Sequence, residues 1–160
     1  MGDPRFRTMT EDDAAAISAW RYPPPYDFYD PGADEDDLNE LLDPVRREAE
    51  YSTAVDAAGD IIGFAQLTRD GDSVEIGLGL RPDLTGRGLG GDFVEAVVRL
   101  ARERHAPRLI TLAVAEFNRR AITVYERAGF VAVRRYRHHT NGRDWDFLAM
   151  ELRGSGTAGA

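Results

Sequence analysis

The sequence lacks cysteine and lysine altogether, and each absence excludes a kind of site. Without cysteine the chain can have no disulfide framework, no thiolate zinc site and no cysteine nucleophile. Without lysine it cannot contain the phosphate-binding loop G-x-x-x-x-G-K-[ST]. It also lacks an apolar run of about 18 residues, as a membrane helix needs, and its N-terminal segment MGDPRFRTMTEDD has no apolar stretch like that of a signal peptide. We therefore expect a cytoplasmic protein that does not enter a membrane.

An acidic N-terminal part accounts for the net charge of −8. Residues 1–51 hold 14 acids and 5 arginines, whereas residues 52–160 hold 14 acids and 15 arginines. An acidic surface repels the phosphates of nucleic acid, so we expect no nucleic-acid partner and favour a cationic partner near the N-terminal part. The alternative is that these acids only form a solvated helix face.

Length and patterning predict the organisation of the chain. At 160 residues with 42% hydrophobic residues, we expect one compact domain over residues 1–153 and a disordered tail at 154–160. Helical spacing and strand-like apolar runs then predict the following elements. They are a strand at 5–9, a helix capped by Thr10 and ending near Trp20, an aromatic-rich connection at 20–30, a helix at 34–50, strands at 51–57, 61–68 and 73–80, a helix from the glycine run to about His105, a strand at 109–115 covered on both faces, a helix at 118–128, and a closing hairpin around Asn141-Gly142. This order predicts an α+β domain around one mixed, mostly antiparallel sheet of about seven strands with four helices.

Residues 84–93, LTGRGLGGDF, form a glycine run that fits two phosphate-binding patterns. Gly86, Gly88 and Gly91 fit the dinucleotide pattern G-x-G-x-x-G, whereas Gly86, Gly88 and Gly90 fit the acyl-coenzyme-A loop x-x-G-x-G. A dinucleotide loop needs its first glycine directly at the strand end and an acid about 20 residues on. Here RPDLT intervenes, and the next strand, LITLAVA, carries no acid. What remains is a helix start whose N–H groups and dipole favour an anion, to which the Arg87 side chain can add a charged contact, with an ordinary glycine-rich turn as the alternative.

A second motif follows one strand later. The segment NRRAITVYERAGF matches N-x-x-A-x-x-x-Y-E-x-x-G-F at Asn118, Ala121, Tyr125, Glu126, Gly129 and Phe130. With the glycine loop at this separation, the chain resembles the GNAT superfamily of acetyl-coenzyme-A-dependent N-acetyltransferases over about residues 51–152. The N-terminal part resembles the family only in its strand-helix-helix plan. The resemblance implies the GNAT fold with three layers, α/β/α, and acetyl-coenzyme A as co-substrate.

The resemblance also implies where the cofactor binds. In the family the glycine loop holds the pyrophosphate, and the matching backbone N–H groups here belong to Arg87, Gly88, Leu89 and Gly90. The match begins at Thr85, where the family usually has a long polar side chain, so we expect weaker binding. The positions that meet the pantetheine arm and the thioester carbonyl correspond to Leu78, Gly79 and Leu80, and Asn118 is a further cofactor contact. The resemblance implies no metal, and a homodimer is expected at the family level only.

Transfer from a thioester to an amine requires a neutral amine, a stabilised oxyanion and a proton for the departing thiolate. The resemblance makes Tyr125 the general acid that protonates the thiolate. Helical spacing puts Tyr125 on a face directed toward the sheet, where the alternative is an ordinary core tyrosine. For the base we predict Glu75, the only acid of the strand VEIGLGL. It shares a face with Gly77 and Gly79, and this bare face suggests that something packs closely there, with a packed helix as the alternative.

In the family, the two N-terminal helices and their connection form much of the acceptor wall, so the resemblance assigns this role to the aromatic connection at 20–30, with Tyr26 and Tyr29 as substrate-binding residues. Its aromatic faces and the acids around it favour a cationic amine, and the alternative is that these aromatic residues only pack the helices while the acids stay solvated. The sequence thus predicts an N-acetyltransferase that moves an acetyl group directly to an amine of a small molecule or a protein, without a metal or a covalent intermediate. The rival hypothesis is a non-catalytic acyl-coenzyme-A-binding or sensor module, which would release no free thiol with any amine.

Overall fold

The computed structural model describes residues 3–153, and its strands form one seven-stranded sheet. The strands are β1 (Arg5–Thr8), β2 (Tyr51–Val55), β3 (Ile61–Asp70), β4 (Ser73–Leu80), β5 (Leu109–Ala115), β6 (Val131–Thr140) and β7 (Arg143–Arg153). They lie in the order β1-β2-β3-β4-β5-β7-β6, and every neighbouring pair is antiparallel except β4 and β5. This confirms the mixed, mostly antiparallel sheet. The tail predicted at 154–160 lies outside the described residues.

The described residues form five α-helices, one more than predicted. They are α1 (Glu11–Ser18), α2 (Glu35–Leu42), α3 (Pro44–Glu50), α4 (Gly90–His105) and α5 (Arg119–Arg127). The single helix predicted at 34–50 is divided at Asp43, which is extended (φ −76°, ψ 115°) and accepts a hydrogen bond from the Val45 N–H. Proline disfavours the helical conformation in the residue before it, so Pro44 ends α2 and begins α3.

The predicted caps and turns have the expected geometry. The Thr10 hydroxyl accepts from the Asp13 N–H at 3.0 Å, and the Asp13 carboxylate accepts from the Thr10 N–H at 2.9 Å, which completes a capping box. The Asn118 side chain accepts from the Ala121 N–H at 3.2 Å and caps α5. At the β6–β7 turn, Asn141 and Gly142 both have positive φ, as a two-residue hairpin turn of this kind requires.

Two hydrophobic clusters lie on opposite faces of the sheet. The larger one packs α4 against the strands and includes the fully buried Phe93, Val74 and Ile110. A smaller cluster joins α1, α2 and the sheet through Met9, Ile17, Leu41 and Tyr51, with Phe64 of β3 beside it. Phe64 and the larger cluster's Ala65 are neighbours on β3 and therefore face opposite ways, so helices cover both faces and form the predicted three layers.

The strand β5 differs from its prediction. Ile110, Leu112 and Val114 are buried against the larger cluster, as expected for an apolar run. On the other face Ala113 is exposed, so β5 is fully covered on one face only. The uncovered face borders a cleft. Among residues 3–153, no helix has both the length and the apolar composition needed to cross a membrane.

Candidate active site

The cleft forms where β4 and β5 separate. The two parallel strands pair over three residues only, from Ser73 opposite Leu109 to Glu75 opposite Thr111. Beyond this point β4 pairs only with β3 and β5 only with β7, and no strand of the described residues fills the gap. Successive residues of a strand direct their backbone groups to alternate sides, so N–H and C=O groups on both inner edges remain available to a ligand.

A cavity of about 870 Å³ occupies this gap. Its wall contains the end of β4 (residues 76–80), residues 112–114 of β5, the glycine loop, the inner face of α5, and much of the aromatic segment. This volume is within the range of about 300–1,000 Å³ for sites that enclose a small-molecule ligand. One continuous cavity therefore joins the predicted cofactor loop to the predicted acceptor wall.

Two tyrosines of the aromatic segment bridge the separated strands. The Tyr22 hydroxyl donates to the carbonyl of Leu80, at the end of β4, at 2.7 Å. The Tyr29 hydroxyl accepts from the N–H of Ala115, at the end of β5, at 3.1 Å. Burial raises the pKa of both phenols. The aromatic segment, which contains one short 3₁₀ turn at Tyr26–Tyr29, thus spans the cleft.

The glycine loop has the geometry of an anion site. Gly86 and Gly88 have φ of +72° and +76°, which side chains rarely adopt, and α4 begins directly afterwards at Gly90. Leu89 precedes the helix without a side-chain cap, so the first N–H groups of α4 remain unpaired with a side chain. Gly88 and Gly90 line the cavity, whereas the predicted contact residues Arg87 and Leu89 contribute no side chain to its wall.

Sequence reasoning missed a second cation beside this loop, one whose side chain lines the cavity. Arg120, in the first turn of α5, lines the cavity, and its Nη1 lies 3.5 Å from the position that a Cβ on Gly86 would occupy. Its guanidinium carbon lies 4.1 Å from the centroid of the Tyr26 ring. The only sequence signal for Arg120 was its place as the second arginine of the NRRA segment. Its helical spacing from Tyr125 does not show that its side chain is directed toward the glycine loop.

Tyr125 and Asn118 both line the cavity. Tyr125 lies on the face of α5 that packs against the larger hydrophobic cluster, as its spacing predicted, and its ring centroid is 6.1 Å from that of Phe130. Burial, and then the neighbouring Tyr29 phenol, raise the pKa of Tyr125. Within residues 3–153 its hydroxyl makes no protein hydrogen bond, so it is free to meet a ligand. Tyr26 and Tyr29 also line the cavity.

The bare face of β4 is covered by side chains of β3. A Cβ on Gly79 would lie 2.5 Å from a ring carbon of Phe64, and Gln66 lies over Gly77. The short distance to Phe64 explains Gly79 and confirms that something packs closely there, whereas a Cβ on Gly77 would make only an ordinary contact with Gln66 at 3.5 Å. Leu78, Gly79 and Leu80 line the cavity, but Glu75 is exposed on the same face below the point where the strands part, outside the cavity wall.

The acids that line the cavity come from the aromatic segment and α2. They are Asp30, Asp37 and Glu40. Glu40 pairs with Arg46 at 2.7 Å, whereas no arginine of the described part of the chain pairs with Asp37. The partly enclosed position of Asp37, and then the charges of Asp34 and Glu40, raise its pKa. A cationic ligand would relieve this repulsion.

The tip of the β6–β7 hairpin is hydrogen-bonded across the acceptor end of the cavity. The Asn141 N–H donates to Asp34 Oδ1 at 3.1 Å, and the Asn141 side-chain amide donates to the Phe28 carbonyl at 2.8 Å. Asp34 also accepts from the Asp37 N–H as the N-cap of α2. These hydrogen bonds, which we call the Asn141 latch, hold the aromatic segment and α2 to the C-terminal hairpin.

Comparisons with known proteins show which proteins the chain resembles. A model of the acetyltransferase (GNAT) family matches residues 14–130. No curated protein matches the chain in sequence.

Solved structures share the fold over nearly the whole chain. The spermidine N-acetyltransferase of Vibrio cholerae in complex with CoA and spermine is similar with a TM-score of 0.79 at 23% identity, covering 97% of this chain and 98% of that one. A chimera of that Vibrio cholerae enzyme with hSSAT has a TM-score of 0.79 at 22% identity, covering 99% and 100%. A dodecameric structure of the Vibrio cholerae enzyme has a TM-score of 0.72 at 22% identity, covering 98% and 97%.

Proposed function

The chain belongs to the acetyltransferase (GNAT) family, and from that premise we propose that it transfers the acetyl group of acetyl-coenzyme A directly to a cationic amine. The observation that carries the proposal is the single cavity between β4 and β5. It has the glycine loop and the uncapped start of α4 at one end, Tyr125 beside the gap, and at the other end Asp37, which has no arginine partner in the part of the chain that the structure describes. An acyl donor and an amine can meet there at the open edge of β4.

The cofactor end suits a pyrophosphate and an extended arm. Glycine at 86 and 88 lets the backbone approach an anion closely, and the N–H groups and dipole of α4 favour negative charge. The pantetheine arm would lie along Leu78, Gly79 and Leu80 and pair with the backbone groups of this edge that face the gap, apart from the Leu80 carbonyl, which already accepts from Tyr22. An N–H group of this edge would stabilise the oxyanion that forms when the amine attacks the thioester. Asn118 borders the same space.

Tyr125 is proposed as the general acid. When the tetrahedral intermediate collapses, the C–S bond breaks and the Tyr125 hydroxyl gives its proton to the departing thiolate sulfur. Burial raises the pKa of Tyr125, so the phenol holds its proton at neutral pH. The same surroundings disfavour a free thiolate and so increase its affinity for that proton. The hydroxyl makes no competing protein hydrogen bond among the described residues.

The acceptor end favours a cationic amine. Asp37 has a raised pKa and no arginine partner within residues 3–153, so it would gain from an ammonium group placed beside it. Tyr26 and Tyr29 supply aromatic surface at the same end. The structural neighbour in complex with CoA and spermine supports an amine of this kind. Glu75 stays a predicted base that would act through water, because its side chain lies outside the cavity wall.

We also propose that the protein is cytoplasmic and forms an oligomer. The sequence predicted a homodimer, and one structural neighbour is dodecameric. Light scattering of the purified protein measures the number of copies, and a monomer at all concentrations would contradict this part of the proposal.

Calorimetry with acetyl-coenzyme A tests the cofactor site. Gly88→Asp places bulk and negative charge against the phosphates and should abolish detectable binding. Gly88→Asn is the matched control, because it has the same size and the same backbone strain without the charge, and it should lose much less affinity. Equal affinity of wild type and Gly88→Asp, both folded, would contradict the assignment.

Turnover tests the reaction. Wild-type protein with acetyl-coenzyme A should release free thiol when it is given amines from a panel of diamines, polyamines, monoamines and peptides, and most rapidly with cationic amines. A protein that binds the cofactor tightly but releases no thiol with any amine would be a non-catalytic binding module instead.

A further inference from the structure

Arg120 lies between the two ends of the cavity. Its guanidinium covers the face of Tyr26, a residue of the acceptor wall, with 4.1 Å from the guanidinium carbon to the ring centroid. The same group approaches the glycine loop, where Nη1 lies 3.5 Å from the position of a Cβ on Gly86. Arg120 therefore contacts the aromatic segment at Tyr26 and lies beside the glycine loop at Gly86.

A guanidinium can contact an aromatic ring and an anion at the same time. Its flat face stacks on an aromatic ring, while its N–H groups lie in the plane and point outward to acceptors such as phosphate. In this structure the flat face of the Arg120 guanidinium lies over the Tyr26 ring. No carboxylate of residues 3–153 forms an ion pair with Arg120. Its donors are consequently free to bind an anion seated on the glycine loop.

We propose that Arg120 binds the phosphates of the acyl donor through its N–H groups while its face holds Tyr26, so that cofactor binding positions the acceptor wall. This inference depends on the proposed function, because it assumes a coenzyme A ester on the glycine loop. It assigns to Arg120 the charged contact that the sequence predicted for Arg87. It also makes Tyr26 a positioning residue whose placement depends on the cofactor.

Binding of two ligands to the full chain tests the phosphate contact. Coenzyme A carries the phosphates, and pantetheine is the same thiol arm without them. Arg120→Gln should bind coenzyme A about tenfold more weakly and pantetheine as wild type does, because one charge-assisted contact is lost. Arg119→Gln is the matched control, since Arg119 is exposed on the same helix turn but does not line the cavity. It should bind both ligands like wild type.

A double-mutant cycle tests the coupling to Tyr26. Tyr26→Leu removes the ring on which Arg120 lies and should weaken coenzyme A binding about threefold. Arg120→Gln combined with Tyr26→Leu should be no weaker than Arg120→Gln alone, because the shared interaction is already gone. At saturating acetyl-coenzyme A, Arg120→Gln should raise the KM for the amine and leave kcat close to wild type.

Three results would overturn the inference. They are an unchanged affinity of Arg120→Gln for coenzyme A, an equal loss for coenzyme A and pantetheine, and fully additive effects of the two substitutions. If wild-type protein binds no coenzyme A, the proposed function itself fails, and that outcome is distinct from all three.

Discussion

Alanine at Gly79 should destabilise the fold, whereas alanine at Gly77 should not. Both glycines lie on the same face of β4, neither has a positive φ, and both line the cavity. A Cβ on Gly79 would lie 2.5 and 3.0 Å from two carbons of the Phe64 ring. On Gly77 the nearest side-chain atom would be the Gln66 Oε1 at 3.5 Å, an ordinary contact.

The size of the effect follows from these distances. Carbon atoms pack at about 3.5–4.0 Å, so the Phe64 ring must retreat by about 1 Å in Gly79→Ala. The ring is held by Trp20 and Tyr51, with centroids at 6.2 and 6.4 Å. Overpacking of this kind costs about 1–3 kcal/mol. Gly77→Ala should stay within about 0.5 kcal/mol of wild type or stabilise slightly, because alanine has less freedom in the unfolded chain.

Urea unfolding of the two variants and wild type measures this difference. Gly79→Ala should lower the midpoint with an unchanged slope, and Gly77→Ala should not. Because Phe64 borders the acceptor end, its displacement in Gly79→Ala should also raise the KM for the amine more than the KM for acetyl-coenzyme A. If both alanine variants unfold at the same urea concentration, the tight packing of Phe64 on β4 is not a feature of the protein in solution.

Three further predictions concern single side chains. Tyr125→Phe should keep the affinity for acetyl-coenzyme A and lower turnover by about 10² or more, since the packing stays and only the proton donor is lost; a wild-type rate would make Tyr125 a core residue only. Burial opposes ionisation of Asp13, but hydrogen bonds, above all from Arg7, outweigh it and lower its pKa to about 2 from 3.8. Its carboxylate should therefore contribute about 2 kcal/mol to the free energy of unfolding above pH 4, and this contribution should be lost as the pH falls toward 2. When stability is measured against pH, Asp13→Asn should lack this acid step. Asp37→Asn should raise the KM for a cationic amine and flatten its salt dependence, whereas Asp27→Asn, exposed and outside the cavity, should not; equal behaviour of the two would refute the role of Asp37.

Local signals in the sequence were sufficient for most of the fold. Thr10 and Asn118 cap helices because their side-chain oxygens accept hydrogen bonds from the first helical N–H groups. Asn141-Gly142 forms the hairpin turn because both residues adopt a positive φ readily. The strand at 109–115 was also bounded correctly, since an apolar run between turn residues fits a strand. Pro44 was also a local signal, because it indicates a break at the residue before it. The prediction of one helix at 34–50 followed the helical spacing of the leucines instead.

The site was less predictable because it depends on relations between elements. Nothing in the residues of β4 or β5 indicates that the two strands pair over only three residues and then separate. The direction of the Arg120 side chain toward the loop depends on how α5 sits over the sheet, so the sequence indicated Arg87, within the glycine run, and gave no signal that Arg120 lies beside the loop. Glu75 shares the predicted face, but its side chain is not part of the cavity wall. The alternation of side chains along a strand determines which face of the sheet a residue lies on. Only the tertiary structure determines whether that residue lines the cavity.

The Asn141 latch also affects the order in which the two ends of the cavity can form. It joins residues 107 and 113 positions apart in the chain, whereas the glycine loop and α5 lie within residues 73–127. Contacts between distant residues require a large loop to close first, and a chain growing from its N-terminus cannot make this one until the last hairpin exists. We expect the cofactor end to form early in refolding and the acceptor end last. Pulsed hydrogen exchange would then show late protection at the amides of residues 28–37, and protection there as early as in α4 would refute this order.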